Sequence, residues 1–375
     1  MTAYRSPILQ ALGVFEASGA DRGVAAHYGE PLKEQRRLVM GSHKFVAADF
    51  SHSGLVVVTG PDRLSWLTTL SSQVLEGMQA ADSCEFLLLT AQGRIDFAVA
   101  AVEDGQQVWL LVEGDQAQRL TDYLQSMQFM LRVEVKNLSA NYAVLCSHED
   151  PRLSPQAPEL LKTAVVWQDP WPHPAPGAVS YAQAVGQDHP GSGYRRYLTI
   201  VDRAKLPTLL DQICWVGSWA AEALRVEAWR PRYAREVDGK ALAHELDYMR
   251  TAVHLNKGCY KGQETVARVH NLGRPPRRLV FLDLDGSEHT LPATGAAVYA
   301  GQKKVGHLTS VAQHWEAGPI ALALIKRAVA PDQPLRVLDQ VADQQQEYAA
   351  EQTLIVSPEA GRAAGPLPGR AGFLS

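Results

Sequence analysis

The stretch from Asp49 to Cys146 limits what this chain can fold into more than any other part of it. Leu55 to Val58 is a short β-branched run of the length and texture of a buried strand. Gly60-Pro61-Asp62 stops it, and Asp62 is placed to cap the helix that Leu64, Leu67, Leu70 and Val74 mark by their spacing. Three apolar runs follow, Glu85 to Thr90, Ile95 to Val102 and Val108 to Val112, with turn signals at Gln92-Gly93 and Asp104-Gly105. Ala117, Leu120, Leu124 and Met127 trace an amphipathic helix, and Arg132 to Lys136 and Tyr142 to Cys146 supply two more strands. The order β-α-β-β-β-α-β-β reads as an α+β lobe, an antiparallel sheet with helices on one face.

The texture changes after residue 147. Seven prolines between Pro151 and Pro176 interrupt any periodicity, which predicts a long extended connection, with Thr163 to Trp167 a strand candidate within it. The glycines at 186, 191 and 193 lack the strand-to-helix frame of a nucleotide loop and read as loop. Order returns with a strand over Arg195 to Val201, a helix over Asp202 to Ile213 that places Pro207 in its first turn, and a second helix over Ser218 to Trp229. Beyond Pro275-Pro276, strands at Arg278 to Leu284, Ala296 to Tyr299, Lys304 to Val311 and Pro319 to Ile325 recur between Gly-rich turns, the pattern of a small barrel or sandwich. The expected division is therefore an N-terminal lobe over 1–147, a second α+β lobe over 148–274 and a barrel over 275–360. Gln344 to Gln346 and the Gly/Ala/Pro-rich tail, 361–375, read as mobile.

Composition narrows the function. An apolar content of 46% and a charged content of 20% are those of an ordinary globular protein. A net charge of −4 gives no reason to expect nucleic-acid binding, and no run approaches a membrane span. The N-terminal segment has no continuous apolar core and does not read as a signal peptide. Cys84, Cys146, Cys214 and Cys259 are widely spaced, with no CxxC pair, which suits a reducing cytoplasm rather than a disulfide framework or a metal-ligand set. His244-Glu245 has no metal-ligand spacing, and His254 stands alone.

The densest chemistry lies in Lys257-Gly258-Cys259-Tyr260-Lys261-Gly262-Gln263-Glu264. A thiol between two lysines is placed to ionise, and the glycines free the loop for close approach to a ligand. Arg268, Arg274, Arg277 and Arg278 extend the positive field, with only Glu264 opposing it, which favours an anionic ligand or partner. The competing reading of Cys259 is a small residue buried at a tight turn.

This octapeptide resembles the signature of the YgfZ family, folate-binding proteins related to the aminomethyltransferase (T-protein) of the glycine cleavage system and linked to iron–sulfur cluster synthesis or repair. The resemblance implies two ferredoxin-like, antiparallel α+β lobes and a small C-terminal β-barrel around a pocket for tetrahydrofolate or a one-carbon derivative. Cys259 would be the reactive group on the pocket rim, with Lys257 and Lys261 keeping it ionised. Lys257, Gly258, Tyr260, Gly262, Gln263 and Glu264 would shape the folate site. The similar Leu224-Arg225-Val226-Glu227-Ala228 run implies that Arg225 lines the pocket, and Gly93-Arg94-Ile95-Asp96 implies the same for Asp96. Phe97 stands where T-proteins carry a second acid, which counts against aminomethyl-transfer chemistry. Tyr194-Arg195-Arg196 likewise offers bases where those enzymes have an acid. The implied partners are folate and iron–sulfur assembly proteins or client enzymes. A folate-dependent aminomethyl or methyl transferase and a non-catalytic folate-sensing scaffold remain alternatives.

Overall fold

The computed structural model describes residues 4–10, 14–182, 186–287, 290–341 and 344–361. Its architecture is two five-stranded sheets with helices, followed by a closed six-stranded barrel. The first sheet is antiparallel throughout, in the order Ser83–Leu89, Ile95–Glu103, Gln107–Val112, Gly54–Thr59, Glu134–Asn137. Its strands alternate faces. Phe86, Leu88, Phe97 and Val99 pack under the helices Arg63–Leu70 and Ala117–Ser126, through Leu67, Leu120 and Leu124. Leu55, Val57, Trp109 and Leu111 face the second sheet.

The second sheet runs Val165–Gln168, Tyr197–Asp202, Tyr142–Ser147, Phe45–Asp49, Ile213–Val216. Its last pair is parallel, and the others are antiparallel. Phe45–Asp49 is buried along its whole length because cores lie on both its faces, which explains the apolar run Phe45 to Ala48. Two of these strands come from before residue 148, so the sheets interleave along the chain. Tyr142–Ser147 does not extend the first sheet, as its position after Arg132 to Lys136 suggested. The indole of Trp167 ties the lobes together by donating to the Cys84 carbonyl at 2.8 Å.

The barrel closes in the order Arg277–Leu284, Gly318–Lys326, Lys303–His314, Ala297–Ala300, Leu335–Val341, Gln344–Leu354. Gln344 to Gln346 are strand, because pairing with Asp339 to Val341 completes the ring. Residues 362–375 lie outside the described residues. Among the described residues, no helix is long and apolar enough to cross a membrane.

Three local expectations change. The first lobe's first helix, Arg63–Leu70, stops short of Val74, because the Thr68 hydroxyl accepts the N–H groups of Leu75 and Glu76 at 2.9 and 2.8 Å and draws the chain out of the helix. Asp62 does not cap that helix; its carboxylate takes the Arg132 N–H and guanidinium at 2.9 and 2.7 Å. The helix expected over Asp202 to Ile213 is a 3₁₀ segment, Arg203–Leu209, since Pro207 within it has no N–H to give.

Candidate functional site

The octapeptide forms an exposed loop leading into the helix Gln263–Leu272, and local contacts fix it at both ends. The Lys257 ammonium donates to the carbonyls of Thr68 and Ser71, the latter at 2.5 Å, satisfying two orphan acceptors at the end of the first helix. Partial burial lowers its pKa to about 8, against the opposing effect of Cys259, and it lies 4.7 Å from the centre of the Tyr260 ring. Tyr260 is buried in the core, and desolvation pushes its phenol up to about 12. Gln263 donates to the Lys257 carbonyl at 3.2 Å, closing the loop on itself.

At the other end, Gly262 has φ +84°, and a Cβ there would stand 2.6 Å from the Thr90 carbonyl oxygen. Gly93, at φ +73°, packs back at it, its own missing Cβ 2.7 Å from Thr265 Cβ. Only glycine tolerates both the left-handed backbone and this approach. The two glycine motifs, far apart in sequence, are therefore one docked unit. Cys259 is exposed on it, as are Gly258 and Glu264.

The electrostatic surroundings are narrower than the sequence suggests. Lys257 is committed to carbonyls, and Lys261 lies 5.7 Å from the centre of the Tyr123 ring. Arg277 is held by Glu245 and Asp238, each at 2.7 Å, and Arg274 pairs with Glu359 at 2.5 Å. Arg278 is buried against the Val329 carbonyl and Gln352. Of the four arginines expected to spread a positive field, Arg274 and Arg277 are neutralised by carboxylates and Arg278 is buried, which leaves Arg268 exposed and without an ion pair among the described residues.

Asp96 is not brought to a cavity wall. Its carboxylate accepts from Arg119 at 2.6 Å on a partly exposed surface, while the next residue, Phe97, is buried in the first lobe's core. Arg225 is in a wall. It lines an inner cavity of about 80 Å³ between the two sheets, with Glu85, Trp167, Arg196, Glu222 and Arg232 among its other walls. No residue from 257 to 264 lines that cavity.

Around this cavity the fold buries an ion network that the sequence reading did not single out. Arg225 uses all five of its guanidinium donors, on Glu222 twice, on Glu236, on the Arg230 carbonyl and on Ser310 Oγ, at 2.6–3.1 Å. Ser310 belongs to the barrel, so this arginine joins the barrel to the second lobe. Arg232 grips Glu113 at 2.8 and 2.9 Å and also reaches Glu222 and Asp21. Arg230 bridges Glu85 and Asp169 at 2.6 and 3.2 Å. The available signal was the run Arg225 to Glu236, where four arginines and only two glutamates stand among apolar and aromatic residues.

Next to this cavity is an outer cleft of about 740 Å³, walled by the proline-rich segment around Pro172 to Pro176, by Arg195 and by His254. Glu85 lines both spaces. A volume of roughly 300–1,000 Å³ suits a drug-sized ligand. The cleft therefore has the size of a small-molecule site.

The arrangement can be set beside known proteins. Residues 277–354 match the glycine cleavage T-protein C-terminal barrel domain. The chain superposes on the glycine cleavage system aminomethyltransferase T from Bartonella henselae with a TM-score of 0.68, covering 92% of this chain and 94% of that one at 16% identity. The fold is that of an aminomethyltransferase. A chloroplastic protein of Arabidopsis thaliana named as a transferase is 26% identical over 71% of this chain, and the match spans 61% of its length. An aminomethyltransferase of Bacillus cytotoxicus is 24% identical over 84% of this chain and 87% of its own. A mitochondrial iron–sulfur cluster assembly factor IBA57 homolog of Mycosarcoma maydis is 24% identical over 63% of this chain and 56% of its own. The aminomethyltransferase-like chains similar to this one thus include both transferases and a cluster-assembly factor.

Proposed function

We propose that this chain is a tetrahydrofolate-binding protein of the YgfZ type that acts in iron–sulfur cluster assembly or repair through Cys259. The observation that carries the reading is the exposed thiol on a loop held rigid from both sides, by Lys257 on the first helix and by Gly262 on the Gly93 turn. An exposed thiol on a fixed frame can meet a cluster or a partner's sulfur without first unfolding a turn. The other three cysteines are less accessible; burial pushes the thiols of Cys84 and Cys146 up to about 12 and about 11. All four are free, in keeping with the reducing cytoplasm as the working compartment.

Tetrahydrofolate would occupy the outer cleft with one end in the inner cavity, and bound there it supplies a one-carbon carrier. Its clients would be cluster-assembly proteins or cluster-dependent enzymes. A folate-dependent transferase is the second reading, favoured by sequence likeness to aminomethyltransferases over most of the chain. The engagement of Asp96 by Arg119 and the burial of Phe97 weigh against it.

Complementation separates the two readings. Cys259→Ala, returned to cells lacking the gene, is expected to leave a cluster-dependent enzyme inactive while glycine cleavage runs normally. Full restoration by the variant would remove the thiol from the function, and a glycine-cleavage defect in the deletion strain would promote the transferase.

A further inference from the structure

Among the described residues, the charged groups around the inner cavity leave one guanidinium without a hydrogen bond. Every carboxylate in its wall is occupied. Glu85 accepts from Arg230 and Thr251, both at 2.6 Å; Glu113 is gripped by Arg232; Glu222 is gripped by Arg225 and Arg232. Arg225 has no donor left, and Arg232 has its guanidinium committed to Glu113, Glu222, Asp21 and His52. Arg196 differs. Its guanidinium makes no hydrogen bond among the described residues, its Nε is buried without an acceptor, and Asp169, 3.7 Å away, already serves Arg230 and the Trp171 N–H. The guanidinium sits 5.5 Å from the centre of the Trp167 ring, which also lines the cavity.

We propose that Arg196 is the anchor of this cavity and that the ligand seated there presents a carboxylate to it. This rests on the reading of the cavity as a ligand site, and it goes further by fixing the chemistry of the end that enters. An incoming cation would meet only carboxylates already neutralised by arginines. An acceptor anion meets a guanidinium with its donors free, backed by an aromatic face, and a planar carboxylate matches that fork. The charge count favours a monoanion. Arg196, whose ion-pair partner Asp169 is shared with Arg230, can answer one carboxylate, whereas a phosphate dianion would bring a second charge close to Glu85, Glu113 and Glu222. The carboxylate can come from the glutamate tail of a folate or from a separate small acid.

Calorimetric titration of the full chain tests the assignment. The probes are 5-formyltetrahydrofolate, benzoate, 6-methyltetrahydropterin (which has no carboxylate) and inorganic phosphate. The expected result is that Arg196→Gln weakens the carboxylate probes at least about tenfold while any binding of the pterin is unchanged, and that Arg196→Lys, which keeps the charge but loses the fork, falls between. A loss confined to 5-formyltetrahydrofolate identifies the folate tail as the source, and a loss confined to benzoate identifies a separate acid. Failure of 5-formyltetrahydrofolate to bind, with benzoate binding that depends on Arg196, would sink the folate reading and leave this assignment standing. Equal affinities in wild type and both variants, loss of the pterin to the same degree, binding of phosphate alone, or no carboxylate binding at all would overturn it. The melting temperature of each variant, expected to match wild type because Asp169 keeps Arg230, guards against mistaking misfolding for lost contact.

Discussion

Removing Arg225 tests whether that residue is spent on the fold or available to a ligand. In Arg225→Ala, Ser310 and the Arg230 carbonyl lose a donor, and Glu222 and Glu236 lose their pairing with it. Stripping one partner from a buried ion pair costs about 3–5 kcal/mol. Here the lower end applies, because Glu222 keeps Arg232 at 3.0 Å and Glu236 keeps the Arg232 N–H at 2.7 Å. Scaled to 375 residues at about 2.1 cal/mol/K per residue, about 3 kcal/mol lowers the melting temperature by roughly 4 °C. The assay is thermal unfolding by circular dichroism, alongside titration with 5-formyltetrahydrofolate on the folded fraction. Arg225→Met combined with Glu222→Gln and Glu236→Gln should recover most of the loss, since it removes both sides of the charge pairing. A melting point within about 2 °C of wild type, together with weaker ligand binding, would refute the reasoning and return Arg225 to the ligand site.

Two further outcomes follow from the geometry. Asp247, buried and held at φ +55°, has its carboxyl pushed up to about 6 by desolvation, although Tyr181 N–H, Ser180 and Arg250 pull the other way. The neutral form suits the fold, so this contribution is fully present below the ordinary carboxyl value and is lost as pH rises through about 6; against wild type, Asp247→Asn should gain about 3 kcal/mol above pH 7 and nothing near pH 3, and parallel melting curves across pH would contradict this. Gly262→Ala and Gly93→Ala should each release the Cys259 loop, read as faster hydrogen exchange over residues 256–265, whereas Gly258→Ala, whose Cβ would meet nothing within 4 Å, should leave it protected. Equal exchange in all three variants would show that the glycine contact does not hold the loop.

Much of the fold could be read from local text, because strands buried on both faces are written as apolar runs and half-buried helices as spaced ones. Leu55 to Val58, the runs around Leu87, Val99 and Leu110, and the first four barrel strands lie where periodicity put them, whereas the last two, Leu335–Val341 and Gln344–Leu354, were not anticipated. What could not be read was membership. Nothing in Tyr142 to Ser147 says that its neighbours are Tyr197–Asp202 and Phe45–Asp49 rather than the strand just before it, since pairing is decided by partners distant in sequence. Residues 1 to 45 offered no clear periodicity, yet they hold the helix Pro31–Met40, which ties the second lobe to the barrel when Gln35 donates to the Gln313 carbonyl at 2.8 Å. The motif at Cys259 was visible as composition, but its pairing with Gly93 is a fact of packing. The charged run after Arg225 was visible too; that its arginines face inward and satisfy one another depends on carboxylates as remote as Asp21 and Glu85.

The interleaved sheets also bear on how the chain is made. Phe45–Asp49 leaves the ribosome early, but its parallel partner Ile213–Val216 is translated roughly 160 residues later. At bacterial and eukaryotic elongation rates that is a wait of roughly 8–30 s. Through that interval the first sheet, complete by Asn137, can form and bury its helices, and Phe45–Asp49 can pair with Tyr142–Ser147, but its other edge stays open until Ile213–Val216 is made. Nascent chains of this protein should therefore engage holding chaperones after the first lobe forms and release them only when the segment beyond Val216 has emerged. Separate expression of 1–147 would then yield a folded first sheet carrying the pair Phe45–Asp49 and Tyr142–Ser147 with both of its outer edges open.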